Sequence, residues 1–387
     1  MSEWPAYALK TLAAAAALWI GWSATGASDP APRGATPTAS SPAAAPRARP
    51  PAKPDVFHGM AIQLHNGEDC WNLYSPLIPQ IADLGADTIM IVVHGYQDHA
   101  GSMDLRIHGR KTARDEDVAR LIDIAHQYGL RVILMPIVLL EYPRGTEWRG
   151  RIKPPDLDAW FQRYTEFILR YARMAERRRV ELLMIGSELI MLESSTPRWR
   201  RLIQEVKQFY RGKLGYSANW DHYRPIEFWD DLDYVGMTSY YKLADAPGPT
   251  VDEVVQAWQP FRKDILEFQR EVRKPIIFTE IGWCSQEGAA VEAWNYYRMD
   301  QATPAGLGEQ ATLYDAFIRV WEDTPGVAGY ICWEWTLDAG GEKDFGYTPR
   351  GKPAEKLIRE WFARKAAGLR VPVFEGATNQ EMPRRER

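Results

Sequence analysis

Eight short apolar runs alternate with helix-like segments along most of this 387-residue chain, and this alternation restricts its fold more than any other feature. Most of the runs are almost continuously apolar, as is typical of strands buried on both faces of a parallel sheet. The eight predicted strands are Val56–Leu64, Asp87–His94, Arg131–Val138, Glu181–Glu188, Lys213–Trp220, Tyr234–Tyr241, Pro275–Ile281 and Val327–Trp335.

The segments between the runs have the apolar spacing of amphipathic helices. The predicted helices are Ala113–Tyr128, Asp156–Arg179, Pro197–Tyr210, Val251–Val272, Glu309–Glu322 and Pro353–Ala363. Eight strands with helical connections in about 310 residues predict one (β/α)8 TIM barrel, an α/β fold. A doubly wound sheet is disfavoured, because the first strand leads into Met60–Gly67, which has no Gly-rich phosphate turn.

Composition narrows the range of partners. The net charge of −4 excludes the basic surface that nucleic-acid binding requires, so no nucleic-acid partner is expected. The hydrophobic fraction of 45% suffices for a large core. Among the 16 Trp and 18 Tyr residues, several fall near predicted strand ends, where aromatic rings can stack on sugars, although most buried aromatics serve packing. We expect a monomer.

Both termini are predicted to lie outside the folded domain. Residues 1–27 contain the apolar run Leu12–Trp22 and resemble a secretory signal or an N-terminal anchor that would tether the chain to a membrane. Residues 28–54 are rich in Pro and Ala and predict a disordered linker. The folded domain is predicted over 55–368 and a flexible tail over 369–387. The protein is therefore expected to be exported, to the periplasm, the cell surface or the medium.

Two glutamates follow apolar runs whose C-terminal ends meet at one face of such a barrel. Glu188 ends the run that begins at Val180, and Glu280 ends the run that begins at Pro275. A carboxylate at a buried strand end costs free energy to desolvate, so its presence there indicates a function. The C-terminal strand ends form the active site of barrel enzymes. Glu188 and Glu280, on the fourth and seventh strands, are therefore the candidate catalytic residues.

Two carboxyl groups across a barrel mouth suit glycoside hydrolysis. One must keep its proton near neutral pH to protonate the leaving oxygen, and the other must be ionised to attack the anomeric carbon. Mutual repulsion supports this division, because each negative charge raises the pKa of the other carboxyl group. The expected partner is a carbohydrate substrate, and this chemistry requires no cofactor and no metal.

The motifs around both glutamates resemble those of clan A glycoside hydrolases and, within that clan, those of family 113, the β-mannanases. The resemblance covers roughly Phe57 to Phe362. It rests on Ile185–Leu189, Tyr216–Trp220, Gly236–Tyr241, Phe278–Trp283, Gly329–Trp335 and Gly346–Ala354. The resemblance implies a retaining mechanism with Glu188 as acid/base and Glu280 as nucleophile. It also implies a β-linked polysaccharide or oligosaccharide as substrate, with β-1,4-mannan as the first candidate.

Several neighbours of the glutamates are predicted to bind substrate. Ser187 stands where most of the clan has an Asn that binds the sugar 2-hydroxyl, and this departure leaves the sugar specificity open. Tyr240 is expected to hydrogen-bond Glu280 and keep it ionised. Trp333 is expected to support the sugar beside the scissile bond, and strand alternation would then turn Glu334 outward.

Three further positions near strand ends are candidates for substrate contacts. Trp283 is expected to wall a sugar subsite, and Asn219, together with Asp221, is expected to contact hydroxyl groups. His94 begins a segment with several metal-ligand residue types, which extends to His108. Clustering in sequence is not coordination geometry, so a substrate contact is the preferred interpretation of His94.

Three alternative functions remain open from the sequence. The first is a clan A enzyme that acts on glucan, xylan or an exopolysaccharide. The second is a catalytically inert barrel that binds glycans at the cell surface, and the third is a metal-dependent hydrolase. The cysteines Cys70, Cys284 and Cys332 allow at most one internal disulfide, and no pairing is predicted among them.

Overall fold

The computed structural model describes residues 56–296 and 298–366. Within these ranges, eight parallel strands close into one barrel in the order of the chain, and helices cover its outer surface. The predicted (β/α)8 TIM barrel is therefore confirmed. The predicted signal or anchor over 1–27, the linker over 28–54 and the tail over 369–387 lie outside the described residues.

The strands are β1 (Phe57–Gln63), β2 (Thr88–Gln97), β3 (Arg131–Leu140), β4 (Leu182–Ser187), β5 (Lys213–Ala218), β6 (Tyr234–Thr238), β7 (Ile276–Ile281) and β8 (Val327–Cys332). β2 and β3 pair from Thr88 opposite Arg131 to Gln97 opposite Leu140. The sequence predicted that β2 ends at His94. The ladder continues to Gln97, since its hydrogen bonds are made by the backbone and do not depend on side-chain polarity.

The helices are α1 (Cys70–Tyr74), α2 (Leu77–Asp83), α3 (Asp115–Gln127), α4 (Leu157–Arg178), α5 (Ile190–Glu193), α6 (Thr196–Phe209), α7 (Val251–Val272), α8 (Pro304–Trp321) and α9 (Pro353–Ala366). α8 begins well before its predicted start at Glu309. Thr303 caps it by accepting a hydrogen bond from the Gly306 N–H, and Pro304 suits the first helical position. In the described part of the chain, 3-10 turns at Arg149–Arg151 and Trp229–Asp231 follow β3 and β5.

Apolar side chains fill the barrel on both sides of its wall. The interior contains residues such as Met90, Ile133, Met184 and Ile277. Between the wall and the helices, six tryptophans of the described residues are fully buried: Trp160, Trp199, Trp258, Trp283, Trp321 and Trp361. Because both faces of each strand are covered, the strands are almost continuously apolar, as the sequence pattern indicated.

Three strands end two or three residues earlier than predicted, β5 at Ala218, β6 at Thr238 and β8 at Cys332. Beyond these residues the ladders stop, and single backbone hydrogen bonds replace them, such as that from Trp333 N–H to the Ile281 carbonyl at 2.7 Å. The side chains that follow belong to loops, so period-two alternation does not determine their direction.

Two further findings concern the folded part of the chain. None of the helices within 56–296 and 298–366 is both long and apolar enough to cross a bilayer. Cys70, Cys284 and Cys332 are buried free thiols.

Gly282, directly after β7, lies where two chain segments approach too closely for a side chain. A Cβ atom at this position would lie 2.2 Å from the carbonyl oxygen of Trp333. The two segments are held together by the hydrogen bond between Trp333 and Ile281, so they cannot separate without losing it. The close approach requires glycine at a position two residues beyond Glu280.

We expect Gly282→Ala to lower the free energy of unfolding by about 1–3 kcal/mol or more, because the methyl group overpacks the backbone. Gly308→Ala is the matched control. Gly308 lies in α8 with no neighbouring atom within 4 Å of an added Cβ, so alanine there should stabilise by about 0.5–1 kcal/mol. Urea unfolding measures both changes, and a Gly282→Ala midpoint equal to that of the wild type would contradict this account.

Candidate active site

Both glutamates lie at the mouth of the barrel. Glu188 directly follows β4, and Glu280 is the next-to-last residue of β7. Only 4% of Glu188 and 3% of Glu280 is exposed. Carboxylates buried to this degree require partners that compensate for lost hydration.

One arginine lies between the two carboxylates. Arg149 belongs to the 3-10 turn after β3, and its Nη2 atom contacts Glu188 Oε2 and lies 3.7 Å from Glu280 Oε1. Its side chain is 17% exposed. Sequence reasoning missed Arg149, because it lies in a polar loop away from any strand end. The path of the loop after β3 brings it to the ends of the fourth and seventh strands.

Two hydroxyl groups from the end of β6 bond to the carboxylates. Tyr240 donates from Oη to Glu280 Oε2 at 2.7 Å, which is the hydrogen bond expected from the sequence. Thr238 Oγ1 donates to Glu188 Oε1 at 3.3 Å and accepts the Trp220 N–H at 3.0 Å. The Trp220 amide thereby directs the Thr238 hydroxyl hydrogen toward Glu188. Both donors favour the ionised form of the carboxyl group that they contact.

The electrostatics of the two glutamates are coupled. Burial raises the pKa of both Glu188 and Glu280, because a charge loses its hydration there. The charge of Glu188 raises the pKa of Glu280 further, while the Arg149 guanidinium lowers the pKa of both. The pair therefore holds a proton more firmly than isolated carboxyl groups would, and it titrates as a unit.

The two tryptophans that the sequence assigned to sugar subsites occupy different layers. Trp333 belongs to the inner cluster of the barrel and is 7% exposed. Trp283 is completely buried and packs edge-to-face on Tyr314 of α8, with 5.3 Å between the ring centroids. The prediction that Trp283 walls a sugar subsite is wrong, because its ring faces the helix layer and offers no surface to a ligand.

Ser187 and His94 carry buried polar atoms without a partner. Within the described part of the chain, Ser187 Oγ and His94 Nε2 form no hydrogen bond. The other ring nitrogen of His94 lies 3.3 Å from the Leu64 carbonyl, and the ring stacks on His65 at 4.4 Å. Burial, followed by the neighbouring His65, lowers the pKa of His94 well below its ordinary value, so the ring is neutral at pH 7. Unpaired buried polar atoms of this kind are candidates for hydrogen bonds to substrate.

Asn219 and Glu334 have partners within the protein. Asn219 Nδ2 donates to Asp221 Oδ1 at 2.6 Å. Glu334 Oε1 accepts a hydrogen bond from Gln63 Nε2 at 3.0 Å, and burial raises the pKa of Glu334 to about 7. The charge of Glu334 also raises the pKa of Glu280. The expectation that Glu334 turns outward is wrong, because β8 ends before it and strand alternation no longer applies.

The polar segment after β2 stabilises its own loop. Arg106 Nη2 donates to Asp98 at 2.7 Å and to Glu141 at 2.6 Å, and His108 lies 3.3 Å from Glu141. These contacts join the loop after β2 to the end of β3. Among residues 56–296 and 298–366, no three His, Cys, Asp or Glu side chains are grouped so as to hold a metal ion.

Comparison with known proteins places this site in a family. The model of Glycoside Hydrolase Family 113 matches residues 76–352. No curated protein matches the sequence.

Solved structures share the fold of the whole described domain. A complex structure of a GH113 β-1,4-mannanase has a TM-score of 0.71 and 25% identity, covering 80% of this chain and 99% of that chain. The GH113 β-mannanase AaManA from Alicyclobacillus acidocaldarius, in complex with ManMIm, has a TM-score of 0.71 and 27% identity, covering 80% and 98%. Since the family model spans more than half of the sequence, this chain belongs to glycoside hydrolase family 113.

Proposed function

We propose that this glycoside hydrolase cleaves β-1,4-linked mannan with retention of configuration, with Glu188 as acid/base and Glu280 as nucleophile. The observation that carries the proposal is the contact of one guanidinium nitrogen with both buried carboxylates. Because the same Arg149 nitrogen lies close to an oxygen of each carboxylate, the two carboxylates must themselves be close together. This favours the separation of about 5–5.5 Å found in retaining enzymes over the roughly 6.5–9.5 Å of inverting ones.

In the first step, a carboxylate oxygen of Glu280 attacks the anomeric carbon while the bond from that carbon to the leaving oxygen breaks. Glu188 gives its proton to the leaving oxygen, so the first product departs as a neutral alcohol. The hydroxyl of Tyr240, hydrogen-bonded to Glu280 Oε2, supports the ionised nucleophile before the attack. The step leaves a glycosyl ester on Glu280 and a carboxylate at Glu188.

In the second step, Glu188 accepts a proton from water, and the water oxygen attacks the same carbon and releases Glu280 as a carboxylate. Two inversions restore the original configuration. The hydrogen bond from Thr238 stabilises the carboxylate form of Glu188 that this step requires. Burial raises the pKa of Glu188 toward the range in which one residue can serve first as acid and then as base.

Arg149 controls the distribution of the shared proton. Its closest contact is with Glu188, and this contact favours the ionised form of the acid/base. Glu188 must be protonated when it acts as an acid, so the guanidinium cannot remain paired with it in the first step. We infer that a sugar entering between the carboxylates draws Arg149 away from Glu188.

The proposed substrate follows from the family and from the relatives that are named β-1,4-mannanases. Mannose and glucose differ in the orientation of the 2-hydroxyl, so residues that touch this group decide between mannan and glucan. Ser187 is the expected contact, and its hydroxyl can donate and accept but reaches less far than an asparagine amide. The buried, unpartnered Oγ of Ser187 supports a role in binding the sugar.

We also propose that the protein acts outside the cytoplasm as a monomer. The support for export is the apolar run within residues 1–27, followed by the Pro- and Ala-rich segment over 28–54. A linker of this composition would let the barrel reach polysaccharide at a distance from a membrane or wall.

Incubation of the purified enzyme with oligosaccharides of mannan, glucan and xylan tests the proposed function. We expect shorter mannooligosaccharides as products. Glu280→Gln should lower kcat/KM by roughly 10⁴-fold or more, since it removes the nucleophile. Glu188→Gln should lower kcat/KM by about 10²–10⁴-fold, since it removes the acid/base. Glu205→Gln, on the exposed face of α6, is the matched control and should retain wild-type activity.

Each rival function has its own result in this experiment. A wild type that binds the oligosaccharides but cleaves none of them would identify an inert glycan-binding barrel. Faster cleavage of glucan or xylan than of mannan would overturn the proposed substrate. Loss of activity on treatment with a chelator would indicate a metal-dependent hydrolase instead.

Replacement of Arg149 by Gln should move the whole pH profile of kcat/KM upward by about 1 unit or more. The guanidinium lowers the pKa of both glutamates, so its removal raises both, and both limbs of the bell-shaped profile follow. Arg149→Lys keeps a positive charge and should remain nearer to the wild type. Arg151→Gln, at an exposed position of the same turn, is the matched control. An unchanged profile in Arg149→Gln would show that the guanidinium does not act on the pair.

A further inference from the structure

The backbone at Glu188, the proposed acid/base, is hydrogen-bonded to residues of β5. Glu188 has a φ of 51°, in the left-handed region that residues other than glycine rarely adopt. Its N–H donates to the Ser217 carbonyl at 2.8 Å, and the N–H of Leu189 donates to the hydroxyl of Tyr216 at 2.8 Å. Ser217 and Tyr216 are neighbours in β5, so one strand holds the peptide groups on both sides of Glu188.

The hydroxyl of Tyr216 connects this backbone to a buried carboxylate. Tyr216 donates to Glu193 Oε1 at 2.7 Å, and Glu193 Oε2 lies 2.6 Å from Nδ1 of His222. Glu193 is 1% exposed, whereas the side chain of His222 is 34% exposed. Burial raises the pKa of Tyr216 well above its ordinary value, so the phenol keeps its proton and serves as the donor. The hydrogen bond to Glu193 raises the pKa of His222, which extends the pH range in which the ring is charged.

The proposed reaction does not use Glu193, although a buried carboxylate is costly to desolvate. Its charge acts on the acid/base, because Glu193 raises the pKa of Glu188. The titratable or charged groups that face Glu188 are Arg149 from the turn after β3, Glu193 from α5, Asp221 from the loop after β5, Tyr240 from the loop after β6 and Glu280 from β7. Of these, Glu193 also accepts a hydrogen bond from the Tyr216 hydroxyl, which in turn accepts the N–H of Leu189 next to Glu188.

We propose that Glu193, Tyr216 and His222 form a positioning unit, which holds the backbone at Glu188 in its left-handed conformation and adjusts the pH range in which Glu188 acts as an acid. This inference rests on the proposed role of Glu188. Tyr216 supplies the geometric part, through its hydrogen bond to Leu189. Glu193 and His222 supply the electrostatic part, with charges of opposite sign at the two ends of one hydrogen bond.

Two substitutions separate the charges from the hydrogen bonds. Glu193→Gln keeps a carbonyl that accepts from Tyr216 but removes the negative charge, which lowers the pKa of Glu188. The basic limb of the kcat/KM profile should then move to lower pH by about 0.5–1 unit. His222→Gln keeps a donor to Glu193 but removes the positive charge, so the same limb should move to higher pH. A purely structural role would not produce shifts of opposite sign.

The control is Glu227→Gln, which makes the same change in net charge at an exposed residue whose carboxylate accepts from Thr196. Its basic limb should match that of the wild type. A limb that stays unchanged in both Glu193→Gln and His222→Gln, with wild-type thermal midpoints, would overturn the positioning unit. If Glu193→Gln does not fold, the basic limb of His222→Gln, a change at a partly exposed position, tests the positioning unit by itself.

Failure of the proposed function would give a different experimental result from failure of the positioning unit. A wild type without turnover, or a Glu188→Gln variant with full activity, would show that Glu188 is not the acid/base. An active wild type, an impaired Glu188→Gln variant and two unmoved limbs would leave the proposed function in place and remove only the positioning unit.

Discussion

The contact of Arg149 with two buried glutamates is the interaction on which the rest of the active site depends. Moving a carboxylate out of water costs several kcal/mol, and two adjacent carboxylates also repel each other. The guanidinium offsets part of both costs, and the hydroxyls of Tyr240 and Thr238 provide the remaining hydrogen bonds. Because burial raises the pKa of both glutamates while Arg149 lowers it, the pair can share a proton near neutral pH. Shared protonation is the condition that acid catalysis beside a nucleophile requires.

The barrel places these groups together because every strand ends at the same mouth. β4 leads to Glu188, β7 carries Glu280, and β6 and the loop after it provide the two hydroxyl donors. β5 holds the backbone of the acid/base from behind. The loop after β3 adds the arginine, and the ion pairs around Glu141 at the start of that loop join it to the loop after β2. The side chains of the site therefore come from the ends of β4, β6 and β7 and from the loop after β3 of one closed barrel.

Much of this arrangement could be predicted from residue patterns. Continuous apolar runs at regular intervals predicted the barrel, and the position of Glu188 and Glu280 at the ends of such runs predicted where they lie. The hydrogen bond of Tyr240 followed from its place beside the seventh strand. Arg149 could not be predicted, because its position depends on the three-dimensional path of a loop. Trp283 was placed wrongly because its closeness to Glu280 in the sequence does not decide which layer its ring enters, and Glu334 because it lies beyond the ladder, where alternation along a strand no longer determines direction.

The central claim is that Glu280 forms a covalent bond to the sugar, while Glu188 donates a proton in the first step and accepts one in the second. Incubation with 2-deoxy-2-fluoro-β-mannosyl fluoride tests it most directly, because the fluorine slows the release of the intermediate more than its formation once a good leaving group is present. Intact-protein and peptide mass spectrometry should then show one fluorosugar on the peptide that contains Glu280. A label on a peptide that contains Glu188 or Glu334, or an unlabelled enzyme that remains active and inverts its substrate, would contradict the account.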